Sequence, residues 1–465
     1  MEEFLPDYHF IAIGGIGQSA LAKILLKEGK KVSGSDVKDS KYIKQLEKCG
    51  AKIFIGHSRE NIIGKPTIIV SSAIKEDNPE LIEAKGRGLK IIHRSDMLKI
   101  ISDNYTEFMG FCGTHGKTTT SGLCAFLLSC ANLKPAYAIG GIIPKLDTNG
   151  DCEEKNTKYF IAELDESDGT VVKYSPRYTL INNLEADHPD FYKNGLEDVI
   201  NTFTQFITGL KDNSKVLINI DDFGNNELIK KNPTYRNFIS YATKDNSAKY
   251  VAKNIKLDTL SSSFDIYNSG KLLGQIELSI PGEHNVTNAL GVCALLIEAG
   301  IEFSLFAPYF REFTGMGRRF QKSAQIGTIT VIDDYAHHPA EIKATLEAVK
   351  NYNKGRVFAI FQPHRYSRFQ GLYNDFLNSF DNADFVAVLD VYTAGEKYTG
   401  GKTAKDFTDK LSKTGKNAKY YTGTIDEAAN EIVKELREND LVFTLGAGDI
   451  TKMGGVLNEL YLLKK

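Results

Sequence analysis

The chain has 465 residues, 42% hydrophobic and 25% charged, which is enough apolar material for several buried cores. At about 150 residues per domain the length points to three domains, and the composition excludes a disordered, collagenous or low-complexity protein. Fifty-seven basic against 59 acidic residues leave a net charge of −2, so neither nucleic acid nor an anionic membrane is expected as a bulk partner.

In chain order, Tyr8–Ile13 reads as a buried parallel strand, Gly14–Gly17 as a turn, and Ser19–Lys27 as a helix with apolar residues at helical spacing. Further strands are expected at Lys31–Gly34, Lys52–Ile55 and Pro66–Ser71, a βαβ rhythm that implies a parallel, doubly wound sheet. A second unit starts near Thr106. Its strand Phe108–Cys112 runs into the loop GTHGKTTT and the helix Ser121–Ala131, with later strands at Tyr159–Ala162, Tyr178–Asn182 and Lys215–Ile220. Short strands with Ser, Asn and Gly turns around Leu257–Ile280 suggest an antiparallel edge. After Phe313 the string TGMGRRF reads as a flexible junction. Strands then follow at Thr328–Ile332, Arg356–Phe361, Phe385–Leu389 and Leu441–Leu445, with helices at Ala340–Lys350 and Gly371–Ser379. The economical division is three α/β domains, 1–105, 106–312 and 313–465, without repeats.

The cysteines, Cys49, Cys112, Cys124, Cys130, Cys152 and Cys293, form no CxxC pair, which argues against a zinc ribbon or disulfide framework and fits a reducing cytoplasm. The acidic start MEEFLPDYHF lacks the basic and apolar regions of a secretory signal. No run reaches the ~18 apolar residues of a membrane span, so a soluble cytoplasmic protein without membrane insertion is expected.

The strongest chemical signal is GTHGKTTT, Gly113 to Thr120, between strand and helix. Its glycines let backbone N–H groups converge at a helix N-terminus, Lys117 can neutralise β- and γ-phosphates, and Thr118 can ligate Mg²⁺. The loop is a shortened GxxGKT, because Phe111 stands where the full Walker pattern has its first glycine. A second glycine loop, AIGGIGQ from Ala12 to Gln18, follows the first strand. Either a plain tight turn or a diphosphate at the following helix explains its glycines, and Asp36 after the second strand could meet a ribose hydroxyl. Two cradles in separate domains point to two phosphorylated ligands.

In AELDESDGT, Glu163, Asp165, Glu166 and Asp168 repel one another unless a divalent cation or basic groups relieve them; a solvated acidic loop is the alternative. NNLEADHPDFY adds His188 beside Asp187 at another strand end. Six of the nine histidines sit in unusual strings: His115, His188, His284, His337, His338 and His364. Arg318, Arg319, Arg365 and Arg368 lie close to some of these, in a form suited to phosphate or carboxylate, although an amphipathic surface helix also accounts for Arg365 and Arg368.

The strings GTHGKTTT, NNLEADHPD, PGEHNVTNA, GMGRRF, DDYAHHPAE, FQPHRYSR and LGAGDI, with SSAIKEDNPEL before them, resemble in order and spacing the Mur ligases, the ATP-dependent enzymes that build the bacterial cell-wall peptide stem. The resemblance spans essentially the whole chain. It implies a Rossmann-like N-terminal domain for a UDP sugar, a central P-loop ATPase-type domain, and a Rossmann-like C-terminal domain for the amino acid. Gly14, Gly15 and Gly17 would approach the diphosphate, with Ser35, Asp36, His57 and Ser72 near the uridine. Gly113, Thr114, His115, Gly116, Lys117, Thr118 and Thr119 would hold ATP, with Lys117 on the transferring phosphate.

By the same resemblance, Thr118, Glu163 and His188 would carry one or two Mg²⁺ ions. His284, Asn285 and Asn288 would lie toward the adenine and Asp333 toward the ribose. Arg318, His338, His364, Arg365 and Arg368 would surround the phosphate and the amino acid, and Lys117, His188, His338, Arg365 and Arg368 are the catalytic candidates. The implied reaction joins L-alanine to the lactyl carboxylate of UDP-N-acetylmuramate through an acyl phosphate, releasing ADP and phosphate, in a monomer or a homodimer. Ala12 replaces a family glycine, Gln18 a methionine and Leu164 an alanine. Several later ligases of the pathway have a carbamoylated lysine where Phe203 stands, which favours the alanine-adding member. The rivals are a sister ligase that attaches a recycled murein peptide, a non-catalytic nucleotide sensor, and, more weakly, a nicotinamide dehydrogenase.

Overall fold

Central apolar runs buried on both faces, with more exposed strands at the edges, build three sheets in the computed structural model, which describes residues 4–350 and 355–462. The first three residues of MEEFLPDYHF lie outside the described residues. The first sheet holds β1 (Tyr8–Ile11), β2 (Val32–Asp36), β3 (Lys52–Ile55), β4 (Thr67–Val70) and β5 (Ile91–His93) in the order β3-β2-β1-β4-β5, all parallel. The order in which strands are added reverses between β1 and β4, where a doubly wound sheet opens a crevice at its carboxyl edge.

The second sheet comprises β6 (Glu107–Cys112), β7 (Ala136–Ile143), β8 (Thr148–Cys152), β9 (Tyr159–Glu163), β10 (Tyr178–Ile181), β11 (Lys215–Asn219), β12 (Phe238–Ala242), β13 (Tyr250–Leu257), β14 (Ser262–Asn268) and β15 (Lys271–Leu278). Its order, β15-β14-β13-β12-β11-β10-β6-β9-β7-β8, sets β6 between β9 and β10. The connection Ser269–Gly270, with φ of +48° and +81°, is short enough only for an antiparallel hairpin, so β14 and β15 form the expected edge.

In the third sheet, β16 (Gln321–Ile326), β17 (Ile329–Asp334), β18 (Val357–Phe361), β19 (Phe385–Leu389), β20 (Ala418–Tyr421) and β21 (Leu441–Leu445) follow the order β16-β17-β21-β18-β19-β20. Separate apolar clusters, one around Phe361, Phe376 and Phe407 and another around Phe358, Ile432 and Leu457, cover this sheet.

Packing divides the chain into two units, one of Met1–Ile255, Phe264–Glu277 and Val286–Phe313, the other of Lys256–Ser263, Leu278–Asn285 and Thr314–Lys465. Within the first, helix Ile16–Lys27 lies against β7 and β8. A Cβ on Gly150 would fall 2.6 Å from that of Ala20, Lys23 Nζ donates to Thr148 Oγ1 at 2.9 Å, and Asn149 Nδ2 donates to Ile16 O at 2.5 Å. The junction near Thr106 therefore lies inside one packed body whose core contains both Phe10 and Phe160. Among the described residues no helix is long and apolar enough to cross a membrane, and all six cysteines are free.

Three local expectations are corrected. The string TGMGRRF is tied down: Met316 is buried, Arg318 N–H donates to Gln321 Oε1 at 2.8 Å, and Tyr335 N–H donates to Arg318 O at 2.7 Å. The helix expected at Gly371–Ser379 is two, Tyr366–Gly371 and Tyr373–Leu377, broken at Leu372. The helix expected from Ser121 begins at Lys117, because Gly116 at φ +85° turns the backbone straight into the first helical residue.

Ala12 follows β1 in the left-handed region at φ +64°, and its carbonyl accepts Gly15 N–H at 3.1 Å. A Cβ there is opposed by about 1–2 kcal/mol, part of which glycine's unfolded-state freedom offsets. Ala12→Gly is expected to raise unfolding stability by up to about 1 kcal/mol and Ala12→Val to lower it, both read from urea midpoints.

Candidate active site

At the β1–β4 reversal, Gly14 N–H donates to Asp36 Oδ2 at 2.9 Å, so the expected ribose-binding carboxylate is pinned to the glycine loop. A Cβ on Gly17 would stand 3.4 Å from Arg94 Nη1, and Arg94 Nη2 reaches Asp165 Oδ2 at 3.2 Å. Arg94 thus runs from the first glycine loop to the acidic string of the second sheet, within one unit. Behind the loop, Ser35 Oγ donates to Glu80 Oε2 at 2.6 Å and lies 2.9 Å from His57 Nδ1, while Ser72 Oγ lies 3.2 Å from His93 Nε2. Gln18, in the place of the family methionine, is buried and donates to Ile11 O at 2.8 Å.

Because β6 lies between β9 and β10, the loop after β6 is flanked by the loops after both neighbours. Thr114 N–H donates to Asn183 O at 2.9 Å and His115 N–H to Asn183 Oδ1 at 2.7 Å. Asn182 Nδ2 returns a bond to His115 O at 3.0 Å. Gly113 and Gly116 have φ of +118° and +85°; a Cβ on Gly116 would fall 2.5 Å from Asn182 Nδ2 and 2.9 Å from Asn288 Oδ1. Asn288 therefore packs on the phosphate loop itself. The side chain of His115 is exposed, 3.7 Å from Glu185, while Thr119 is half-buried in the helix's first turn.

Lys117 folds back over this loop, donating to Gly113 O at 2.7 Å, Thr114 O at 3.0 Å and Glu166 Oε1 at 2.7 Å. Burial pushes Glu166 up to about 7, although the Lys117 charge pulls the other way, and its Oε2 has no hydrogen-bond partner among the described residues. Thr118 Oγ1 donates to Glu163 Oε1 at 3.2 Å, and Glu163 Oε2 accepts Gly140 N–H at 3.0 Å. His188, at φ +52°, has Nε2 3.8 Å from Glu166 Oε1 and 3.6 Å from Asp187 Oδ2.

The acidic string divides by role. Asp165 and Asp168 accept the Ser167 and Thr170 N–H groups of their own turns, at 3.0 and 3.1 Å, whereas Glu163 and Glu166 face the phosphate loop. No group of three or more His, Cys, Asp or Glu side chains converges as a ready metal cage among the described residues. The pair Thr118 and Glu163 fits a hard cation that takes few protein oxygens and completes its shell from phosphates and water.

In the second unit the candidates gather at the carboxyl ends of β17, β18, β19 and β21. Buried Asp333 accepts Thr444 Oγ1 at 2.8 Å, Thr451 Oγ1 at 2.7 Å and Arg318 Nε at 3.3 Å, while Arg318 Nη2 donates to Gly446 O at 2.6 Å. Both are thereby fixed in place. His338 is exposed, its Nδ1 3.4 Å from Ala340 N–H. His364 stacks on Tyr392 at 5.6 Å with Nδ1 3.0 Å from Arg368 Nη1; Arg365 enters the next helix at φ +65° and forms no ion pair among the described residues. Asn285 Nδ2 donates to Pro281 O at 2.7 Å, and a Cβ on Gly282 would meet the His284 ring at 2.8 Å, so both close the turn that opens helix Glu283–Glu298.

Glu80, Arg94, the Asn182–Asn183 clamp and the Glu166–Lys117 pair were not singled out from sequence. SSAIKEDNPEL contains Glu80, but nothing local marks it as buried.

Residues 7–106 match the family described as Mur ligase family, catalytic domain; residues 112–296 match the Mur ligase middle domain and residues 318–448 the Mur ligase, glutamate ligase domain. The chain is 40% identical to the UDP-N-acetylmuramate–L-alanine ligase of Caldanaerobacter subterraneus subsp. tengcongensis, covering 96% of each protein. It is 37% identical to that of Geobacter sulfurreducens, over 99% of this chain and 98% of that one. Among solved structures, a UDP-N-acetylmuramate-alanine ligase of Thermotoga maritima aligns with a TM-score of 0.82 and 29% identity over 99% of this chain and 100% of that one. A murein peptide ligase of Psychrobacter arcticus shares the fold, with a TM-score of 0.71 at 22% identity over 98% and 99%.

Burial, then the charges of His337, Arg368 and Arg365, lower the His364 pKa to about 4. Its imidazole is therefore expected to stay neutral through pH 5 to 6 and accept a hydrogen bond from Arg368. In an NMR titration the midpoint should lie near that value and should rise in Arg368→Ala, which deletes one of the neighbouring cations, while staying below the free imidazole value because burial persists.

Proposed function

The chain belongs to the Mur ligase family and is an ATP-dependent ligase of peptidoglycan synthesis, and we propose that its reaction joins L-alanine to the lactyl carboxylate of UDP-N-acetylmuramate. The observation that carries the reading is the Lys117–Thr118 step at a helix N-terminus, with Glu163 and Glu166 turned toward it at 3.2 and 2.7 Å. The domain division 1–105, 106–312 and 313–465 assigns sugar nucleotide, ATP and amino acid in turn.

The carboxylate oxygen attacks the γ-phosphorus of ATP, the bond to the β-phosphate oxygen breaks, and ADP leaves. The loop N–H groups and Lys117, released from Glu166, take up the charge spreading over the transferred phosphoryl group. Thr118 and Glu163, with His188 nearby, are the residues that would hold Mg²⁺, which when bound neutralises phosphate charge. The neutral alanine amine then attacks the acyl carbon, the carbon–oxygen bond to phosphate breaks, and the nitrogen gives up one proton to solvent as the amide forms. A carboxylate oxygen is otherwise a poor leaving group, and ATP supplies that activation. Arg365 and Arg368 suit the alanine carboxylate or the departing phosphate, with His338 at the rim and neutral His364 oriented by Arg368. Dependence on a UDP sugar and ATP supports a cytoplasmic setting for the reaction.

Lys117→Ala is expected to lower phosphate release at least about 100-fold with the fold intact, since it removes the main charge stabiliser. With ATP and sugar nucleotide alone, hydroxylamine should trap a hydroxamate; its absence would count against an acyl phosphate. Alanine should outcompete an L-Ala-γ-D-Glu-diaminopimelate tripeptide in phosphate release, and the reverse order would move the chain to the peptide-attaching sister ligase.

A further inference from the structure

Glu80 is fully buried in the first unit, yet four hydrogen-bond donors reach it, with His57 just beyond hydrogen-bond distance. Its Oε2 accepts the Ser35 hydroxyl at 2.6 Å and lies 3.4 Å from His9 Nε2 and 3.6 Å from His57 Nδ1; its Oε1 accepts Asn61 Nδ2 at 2.5 Å and Ser58 N–H at 3.3 Å. Burial works to raise its pKa, but the hydrogen bonds from His9, Ser35 and Asn61 prevail and hold it below the ordinary carboxylate range. An ionised carboxylate only accepts. Ser35 has one proton, which it gives to Glu80, and its lone pairs are left for its other neighbour, His57 Nδ1 at 2.9 Å. His57 is then the donor in that pair. In its neutral form it carries its proton on Nδ1 and a lone pair on Nε2, which forms no hydrogen bond among the described residues.

We propose that Glu80 is a positioning residue for the sugar nucleotide: through Ser35 it fixes the Nδ1–H tautomer of His57, whose Nε2 accepts the imide N–H of uracil. The proposal rests on the reading that the first sheet binds a UDP sugar. In a doubly wound sheet the nucleoside lies past the second strand, beside the glycine loop. Ser35 and Asp36 end β2, and His57 follows β3. Uracil offers an N–H at its third ring position, whereas cytosine offers a lone pair there. A lone pair on His57 Nε2 therefore attracts one base and repels the other, so the same relay sets base specificity.

The test uses the full-length chain at about pH 8, where histidine is neutral. Long-range ¹H–¹⁵N spectra of ¹⁵N-histidine-labelled protein, assigned with His57→Asn, should show His57 protonated on Nδ1, and calorimetry should show UDP binding at least about tenfold tighter than CDP. Ser35→Ala, which removes one hydroxyl and leaves Glu80 its other donors, should release the tautomer and bring the UDP/CDP ratio to within about threefold. It should also raise the KM for UDP-N-acetylmuramate about tenfold while kcat and the KM for ATP stay within about twofold. Glu80→Gln, able to donate as well as accept, should give the same spectral change if it folds. An Nε2–H tautomer in the native chain, or an unchanged ratio in Ser35→Ala with UDP bound, overturns the relay and leaves the UDP-sugar reading standing. The expected tautomer in a chain that binds no UDP overturns that reading and the ligand half of the proposal with it.

Discussion

The place of β6 between β9 and β10 is the constraint on which the candidate site depends. Three strings far apart in sequence, Gly113–Thr120, Glu163–Asp168 and Asn182–His188, meet because each leaves the carboxyl edge of one of three adjacent parallel strands. The contact is specific. Asn183 fixes two N–H groups of the loop, one through its backbone carbonyl and one through its side chain, and Asn182 one carbonyl, so the left-handed turns at Gly113 and Gly116 are held from the next strand end. A loop fixed before ligand arrives loses less entropy on binding, which a phosphate cradle requires if its N–H groups are to act through position.

The same edge explains why an acidic string that looks uniform is not. Four carboxylates within six residues repel as a set, and the fold separates them. Asp165 and Asp168 are consumed by their own turns and Asp165 also by Arg94, while Glu163 and Glu166 remain directed at the helix N-terminus. Arg94 comes from the first sheet, so the acidic string is neutralised in part by the domain that carries the other glycine loop. Arg94 and Asp165 both belong to the unit whose core contains Phe10 and Phe160.

Much of the sheet framework was legible because parallel strands buried on both faces, such as Phe385–Leu389 and Leu441–Leu445, read as unbroken apolar runs with the expected bounds; the half-exposed edge strand Lys52–Ile55 also has its expected bounds. The strand β16, QKSAQI, was not legible, since it is a mostly polar edge strand whose pairing with β17 comes from a hairpin and not from hydrophobicity. TGMGRRF looks flexible by composition, yet buried Met316 and the Arg318 backbone anchor it. In the site, motif spacing located the two glycine loops and the residues near them. Arg94 and Glu80 escaped because their partners lie 71 residues away, at Asp165 and His9. Ala12 was visible as a departure from glycine, but that the position demands a left-handed backbone is a property of the turn and not of the letter.

Glu80 and Glu166 show how donor count sets what a buried carboxylate can do. Both are almost inaccessible, and for both burial is the largest influence on the proton. Glu80 has hydroxyl, amide, imidazole and backbone donors on both oxygens, so its charge is solvated internally and its pKa falls. Glu166 has Lys117 on one oxygen and nothing among the described residues on the other, so its pKa rises to about 7 despite a full positive charge at 2.7 Å. A saturated carboxylate is a fixed part of the scaffold, able to orient Ser35 but not to answer a ligand. An unsaturated one has a single lysine as its partner among the described residues, and taking up a proton would release Lys117 at little loss. The fold thus places its rigid carboxylate behind the end of β2 and its unsatisfied one beside the loop that carries Lys117.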